Sequence, residues 1–305
     1  MIYKAEGSFE NAVSVAGDMA YPGYVIRGKE RSCMIDAGIN LYGPLYMRTL
    51  ETILGDPGRL DMLFLTHSHY DHLGAAPYLS RMLPALEIGG HEKIEELLAK
   101  EKVLKFMDTL SEVQREMFQE IVGDEDVHLS PLLLDHRLKD GDSFDLGGLT
   151  CEVYHTPGHT KDSISFFVPE IGALFPGEAA GIPRGEHCEG VQVEFLSSYG
   201  DYIQSIERAA SLKPRMIGMA HAWVLTGDDA ASFLEQSYHE TELYRKQIEA
   251  FLNDCSGDID AAVKKMALAE YDEKGGIYQE RNAYMTNLSA QVALIASMGN
   301  TCSRL

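Results

Sequence analysis

The chain reads Thr66-His67-Ser68-His69-Tyr70-Asp71-His72-Leu73-Gly74 directly after the apolar run Met62-Leu63-Phe64-Leu65. In an extended segment alternate side chains share a face, so we expect His67 and His69 to point the same way. Asp71 and His72 follow where a helix is predicted to begin, and they approach the same space from a second direction. Such crowding of ionisable groups is unfavourable unless a divalent cation binds them. The motif therefore predicts a metal site, with ligands for two adjacent ions.

Three later corners repeat this pattern of an apolar run followed by a ligand-type residue. His159 follows the predicted strand 149–154, Glu178 follows 171–175 and His221 follows 216–219. In sheet proteins with flanking helices, ligands gather beyond the carboxyl ends of the strands. We therefore expect all four corners to converge on one site.

The order of these motifs resembles the metallo-β-lactamase superfamily. The resemblance rests on the H-x-H-x-D-H run, the T-P-G-H-T turn at 156–160, the L-F-P-G-E corner at 174–178 and the last strand-end histidine. It begins near Asp36, in an I-D-x-G pattern. It implies an α/β fold, a four-layer αββα sandwich of two mixed β-sheets with helices outside. It also implies two divalent metal ions, the first held by His67, His69 and His159, the second by Asp71, His72 and His221, with Glu178 where the family usually has a bridging aspartate.

Glu178 departs from the family pattern, because a glutamate adds one methylene to the bridging carboxylate. The number and identity of the metal ions therefore stay open at this point. Zinc suits a histidine-rich ligand set, and iron or manganese suit a set to which carboxylates contribute. The oxygen-reducing flavo-diiron proteins resemble the family but have a glutamate where His69 stands, so His69 favours hydrolytic chemistry.

The metal ions dictate the expected mechanism. Two cations about 3.5 to 4 Å apart lower the pKa of a shared water to near neutrality, which gives a metal-bridging hydroxide as nucleophile. Asp71 is the candidate catalytic residue, since a carboxylate at the second ion can orient that water and carry its proton to the leaving group. We predict a metal-dependent hydrolase of a small carbonyl ester, first a thioester of the acyl-CoA or acyl-glutathione type. Three alternatives stay open: a lactonase, a mononuclear-iron persulfide dioxygenase, and a regulatory protein with an incidental hydrolase site.

Charge and composition narrow the class of substrate. The chain has 305 residues, with 47 acidic against 26 basic side chains and a formal net charge of -21. A basic track for phosphates is absent from the sequence, so we expect a small-molecule substrate and no nucleic acid. The start lacks a signal-peptide pattern, and no run of about 18 apolar residues occurs. Five scattered cysteines indicate reduced thiols. We expect a cytoplasmic enzyme without membrane association, with a homodimer as an open expectation.

Two segments fall outside the sandwich pattern and are expected to shape the pocket. Apolar spacing predicts two helices within an insertion at about 92–122 of a catalytic domain 1–227. Residues 228–305 read as a helical C-terminal cap, with Asp228 and Asp258 as candidate helix caps. This extension is similar to glyoxalase II-like and lactonase-like members and to the quinolone signal response thioesterase. Weak candidates for substrate contact are Arg184, His187 and Trp223.

Overall fold

The computed structural model describes residues 1–185, 188–277 and 279–302, with side chains up to residue 298. The chain divides into two compact units. The sandwich unit comprises Met1–His155, Asp162–Gly177 and Pro214–Ala230, and the helical unit comprises Thr156–Lys161, Glu178–Lys213 and Ala231–Leu305. These units cut across the predicted boundary after residue 227. That residues 228–305 form a cap domain of their own stays a prediction.

Sixteen strands lie within the described residues. In chain order they are β1 Ile2–Lys4, β2 Ser8–Phe9, β3 Val13–Gly17, β4 Pro22–Arg27, β5 Ser32–Ile35, β6 Met62–Phe64, β7 Glu87–Gly90, β8 His136–Arg137, β9 Ser143–Asp145, β10 Thr150–His155, β11 Ile164–Val168, β12 Ala173–Phe175, β13 Ile182–Arg184, β14 Gly190–Gln192, β15 Met216–Gly218 and β16 Trp223–Thr226.

Helices alternate with these strands in the first half of the chain and dominate the end. They are α1 Gly43–Leu54, α2 Tyr70–Leu73, α3 Ala76–Met82, α4 Glu92–Leu98, α5 Glu101–Glu112, α6 Gln119–Val122, α7 Tyr199–Ser211, α8 Asp228–Asp254, α9 Ile259–Ala267 and α10 Arg281–Cys302. Two 3-10 turns, Asn40–Tyr42 and Pro57–Arg59, precede and follow α1, and a π-helix at Leu268–Glu273 continues α9.

The sandwich unit contains two mixed seven-stranded sheets. One has the order β2-β3-β4-β5-β6-β7-β8, in which β5 to β8 are parallel. The other has the order β1-β16-β15-β12-β11-β10-β9, in which β12 and β15 are parallel and the other neighbours antiparallel. Strands β10, β12 and β15 therefore run in one direction, and their carboxyl ends lie at one edge of the sheet.

The sheets pack face to face through alternate side chains. Phe64 of β6 stacks on Phe166 of β11 with 5.6 Å between ring centroids, and Tyr24 of β4 lies 5.1 Å from Phe175 of β12. The opposite face of the first sheet packs against helices, with Leu63 and Ile88 in one buried cluster with Leu50 and Leu79. Burial of this apolar surface on both faces supplies the main stabilisation of the unit. The predicted two-sheet fold class with its C-terminal helices is confirmed.

The helical unit has its own apolar core. Buried side chains from the segment before α7 and from α7 to α10 form one cluster: Val193, Phe195, Tyr202, Ile206, Ile248, Leu252, Val263, Met266, Leu288, Val292 and Ile295. Asp258 caps α9 as predicted, because its side chain accepts the backbone N–H of Ala261 at 3.0 Å. The antiparallel pair β13–β14 completes the unit.

The segment 92–122 contains the short helices α4, α5 and α6. Helices α4 and α5 break near Lys100, and Val113 and Met117 lie in turns after α5 with their side chains exposed. Cys33, Cys151 and Cys255 are free thiols. In the parts of the chain that the structure describes, no helix is long and apolar enough to cross a membrane.

Candidate metal centre

The first two histidines of the motif leave the carboxyl end of β6 in extended backbone. The ring centroids of His67 and His69 lie 4.6 Å apart in an edge-on arrangement, with His67 buried and His69 half-buried. The shared direction predicted from the period of an extended chain is confirmed. The chain then turns into α2, which carries Asp71 and His72.

Asp36 anchors this corner from the end of the neighbouring strand β5. Its Oδ1 accepts the backbone N–H of Thr66 at 2.8 Å, and its Oδ2 accepts the Thr66 hydroxyl at 2.8 Å and Nδ1 of His72 at 2.9 Å. Because the Thr66 hydroxyl donates to Asp36, the hydroxyl oxygen accepts from Nδ1 of His67 at 3.0 Å. Both imidazoles therefore carry their proton on Nδ1 and a lone pair on Nε2.

His221 completes a second group within the sandwich unit. Its Nδ1 donates to the carbonyl oxygen of Ala20 at 2.7 Å, which directs the lone pair of Nε2 toward Asp71, 3.6 Å from Oδ2. The ligand atoms of Asp71, His72 and His221 all lie within 4.8 Å of one another. Tyr21 packs edge-on against His221 at 5.9 Å, and burial together with the Asp71 carboxylate raises the pKa of its phenol. The group therefore brings one carboxylate and two imidazoles together as possible metal ligands.

The other two strand-end residues, His159 and Glu178, lie in the helical unit. Nε2 of His159 lies 2.6 Å from Oε2 of Glu178, and Nδ1 of His159 donates to the carbonyl oxygen of Glu194 at 2.6 Å. His159 and Glu178 are both buried. The imidazole thus faces an oxygen acceptor at each nitrogen. A cation bound by both Nε2 of His159 and Oε2 of Glu178 would take the place of this direct contact.

Gly158 allows the turn that presents His159. Its φ is +130°, and a Cβ there would lie 2.3 Å from the backbone of Tyr202. Only glycine fits, because of both the backbone conformation and the close approach. The Gly158 carbonyl accepts the backbone N–H groups of residues 196–198, and Ser205 donates to the Pro157 carbonyl at 2.7 Å. The turn is therefore held rigidly against α7.

The donor chemistry fits divalent metal ions. Four histidines have Nδ1 engaged by a carboxylate, a hydroxyl or a carbonyl: His67, His72, His159 and His221. Metal-binding histidines are held this way, since a partner on one ring nitrogen sets the tautomer and orients the other toward the ion. Carboxylates at Asp71 and Glu178 add negative charge. This set suits zinc, and it also suits iron or manganese.

The three candidates for substrate contact, Arg184, His187 and Trp223, are not among the metal-centre residues described so far. The Arg184 guanidinium donates to Oε2 and the carbonyl of Glu270 and to the carbonyl of Gly275, all within the helical unit. Trp223 is a buried residue of β16, paired with Lys4 of β1. His187 lies outside the described residues. A substrate role for these residues stays a prediction.

Sequence reasoning missed the residues that anchor the ligands. Thr66 begins the motif, and Asp36 stands in a recognisable strand-end pattern, so both carried a signal that they belong to the site. The positive φ of Asp36, +64°, is a further mark, since non-glycine residues rarely adopt it away from turns and functional sites. Ala20, Tyr21 and Glu194 carried no such signal, because their contacts depend on distant parts of the chain.

Two mixed sheets face to face, with anchored histidines beyond their strand ends, define a sandwich protein with a metal-binding centre. The family model described as the metallo-beta-lactamase superfamily matches residues 17–221. The chain belongs to this superfamily of metal-dependent hydrolases.

Individual relatives agree with this assignment. The metallo-beta-lactamase fold-containing protein ST1585 of Sulfurisphaera tokodaii is 26% identical over 253 residues, covering 80% of this chain and 89% of the relative. The acyl-coenzyme A thioesterase MBLAC2 of Gallus gallus is 27% identical over 201 residues, covering 63% of this chain and 67% of the relative. The crystal structure of the family protein TTHA1429 from Thermus thermophilus superposes with a TM-score of 0.63 at 17% identity, covering 98% of this chain and 94% of the other. At that identity the structural likeness shows the fold alone.

Proposed function

We propose that the protein is a dinuclear metal-dependent hydrolase of thioesters. In this proposal the ligands are those that the family resemblance assigns, and within the sandwich unit Asp71, His72 and His221 hold one of the two ions. The observation that carries it is the common anchoring of four imidazoles through Nδ1, because it leaves Nε2 of each as the ligand atom. Zinc is the metal that we propose first.

The bound ions would supply a water of lowered pKa and polarise the substrate carbonyl. The protein's own contribution is position and proton transfer. Asp71 is half-buried at the start of α2, beside His221, where its carboxylate can hold a water and pass a proton to the leaving group. Asp36 and Glu194 keep the imidazoles in the required tautomer.

Two arguments support thioester hydrolysis. A relative is named as a thioesterase, and hydrolysis by a metal-bound water needs no serine or cysteine nucleophile. A relative matching 63% of this chain is named as an acyl-coenzyme A thioesterase. A thiolate is a good leaving group, so a positioned water and one proton carrier suffice. A lactone is the second candidate substrate, since it presents the same kind of carbonyl to the same site.

The test combines metal analysis with a substrate panel on the full chain. We expect about two ions per chain in zinc-loaded protein. We also expect faster turnover of acyl-CoA or acyl-glutathione thioesters than of lactones. His67→Ala should lose metal and turnover together, whereas Ser68→Ala, between the two histidines, should retain both. One iron per chain with consumption of oxygen and a glutathione persulfide would replace the proposal with the dioxygenase alternative. Metal binding without turnover of any panel member would favour the regulatory alternative.

A further inference from the structure

A row of aromatic rings leads from the candidate metal centre to the insertion. Within the sandwich unit, Tyr21 packs edge-on against His221 at 5.9 Å, Tyr42 against Tyr21 at 4.9 Å, and Phe118 against Tyr42 at 5.2 Å. Tyr42 is buried, and its hydroxyl donates to Asp18 at 2.8 Å, which fixes the middle of the row. The row connects a metal-site histidine to the helical insertion without leaving this unit.

The turns between α5 and α6 add exposed apolar side chains at the outer end of this row. Val113 and Met117 are 81% and 79% exposed and Phe106 of α5 is 63% exposed, whereas Ile94, Leu98, Leu104 and Met107 of α4 and α5 are buried. Met117 directly precedes Phe118, the outer ring of the row, and Val113 lies in the same run of turns.

We infer that Tyr21, Val113, Met117 and Phe118, here named the apolar lip, bind the hydrocarbon chain of an acyl group whose carbonyl lies at the metal centre. The inference rests on the proposed hydrolase function and deepens it by naming the substrate class. It assigns the enzyme to medium- and long-chain acyl thioesters. Water-exposed apolar side chains beside a polar reaction site gain free energy when a hydrocarbon chain covers them.

Size argues against a larger occupant. A specific protein interface involves about 20–30 residues on each side, whereas the lip offers two strongly exposed apolar side chains. An acyl chain needs only a narrow apolar strip, and the lip is continuous with the metal-site histidine through ring contacts.

The test uses the zinc-loaded full chain with acetyl-, hexanoyl- and decanoyl-CoA. We expect kcat/KM to rise with chain length. In the double variant Val113→Ser with Met117→Ser, the ratio of kcat/KM for decanoyl-CoA to that for acetyl-CoA should fall about tenfold, since each fully buried methylene is worth about fourfold in affinity. The matched control is Leu133→Ser, because Leu133 is 77% exposed in the same unit but outside the row. It should leave the ratio unchanged.

The remaining outcomes separate this inference from the proposed function. If thioesters are hydrolysed without a chain-length preference, or with the same preference in the double variant, the lip does not bind the acyl chain. The proposed hydrolase function is then unaffected. If no thioester is hydrolysed, calorimetric binding of decanoyl-CoA decides: chain-dependent binding that the double variant loses supports the lip, and equal binding overturns it. Sedimentation with phosphatidylcholine vesicles, lost in the double variant, would overturn it in favour of a lipid-docking surface.

Discussion

Oδ2 of Asp36 accepts a hydrogen bond from Nδ1 of His72 at 2.9 Å, and both side chains are buried. The same carboxylate holds the backbone and hydroxyl of Thr66, which in turn orients His67. One side chain at the end of β5 thus sets the tautomer of two histidines on the adjacent corner. It also supplies a buried negative charge that favours cations nearby.

Asp36→Asn should weaken metal binding without unfolding the protein. Asparagine tolerates the positive φ at this position, but it removes the charge that increases the basicity of His72. We expect metal affinity to fall by about 10- to 100-fold, as measured by competition with a chromogenic chelator. Asp61→Asn is the control, because Asp61 also accepts a backbone N–H, that of Ser32 at 2.7 Å, at the opposite end of β5 and β6 from the ligand motif. Equal affinities for both variants and wild type would contradict the anchoring role.

Glu178 should tolerate neither a shorter nor a neutral side chain. Its carboxylate lies 2.6 Å from Nε2 of His159, so Glu178→Asp withdraws the oxygen by one methylene and should reduce both loading and kcat. Glu178→Gln should reduce them further, since a neutral amide does not offset cationic charge. Metal titration and kinetics give the readout, with Glu207→Gln on the exposed face of α7 as control. Full loading and wild-type rates in both Glu178 variants would remove this residue from the ligand set.

Gln291 of α10 supports the segment that anchors His159. Its amide donates to the Val193 carbonyl at 2.7 Å and accepts the Tyr244 hydroxyl at 3.0 Å, and the next residue, Glu194, accepts Nδ1 of His159. Gln291→Leu leaves two buried polar groups without this partner. We expect a loss of about 1–3 kcal/mol in the free energy of unfolding, with weaker zinc binding. Ser289→Ala on the exposed face of α10 is the control for chemical denaturation and zinc titration. A destabilised variant with unchanged zinc affinity would show that α10 does not support the metal centre.

Arg184 is predicted from its contacts to stabilise the helical unit. Burial raises the pKa of Glu270, but hydrogen bonds from Gln247, Arg184 and Lys274 outweigh burial and hold the pKa below its usual value. Arg184→Met should therefore cost about 3 kcal/mol at neutral pH. A lowered folded-state pKa gives stability that is present above the unfolded pKa of about 4.3 and lost as the pH falls through the folded value.

The stability difference between wild type and Arg184→Met should accordingly shrink in denaturation experiments below about pH 4. Arg245→Met is the control, because Arg245 pairs with Glu249 at the surface and should cost less than about 1 kcal/mol. An Arg184→Met variant with wild-type stability but a raised KM for the thioester would instead make Arg184 a substrate ligand.

The local sequence predicted those features that depend only on residues a few positions apart, such as the alternation of side chains along a strand or the start of a helix. The alternation that turns His67 and His69 to one face, the helix start at Asp228 and the cap at Asp258 all follow from neighbours within a few residues. Spacing alone was less informative in the insertion. It predicted two helices within about 92–122, but α5 ends at Glu112, and Val113 and Met117 lie in exposed turns before the short helix α6.

The residue types that can bind metal and the ends of the strands follow from composition and local period. How the imidazoles are held depends instead on contacts between distant parts of the chain. Asp36 lies 36 residues from His72, Glu194 lies 35 from His159, and Ala20 lies 201 from His221. Hydrogen bonds over such separations form only after the sheets and helices have packed, since packing rather than spacing brings these donors and acceptors within about 3 Å.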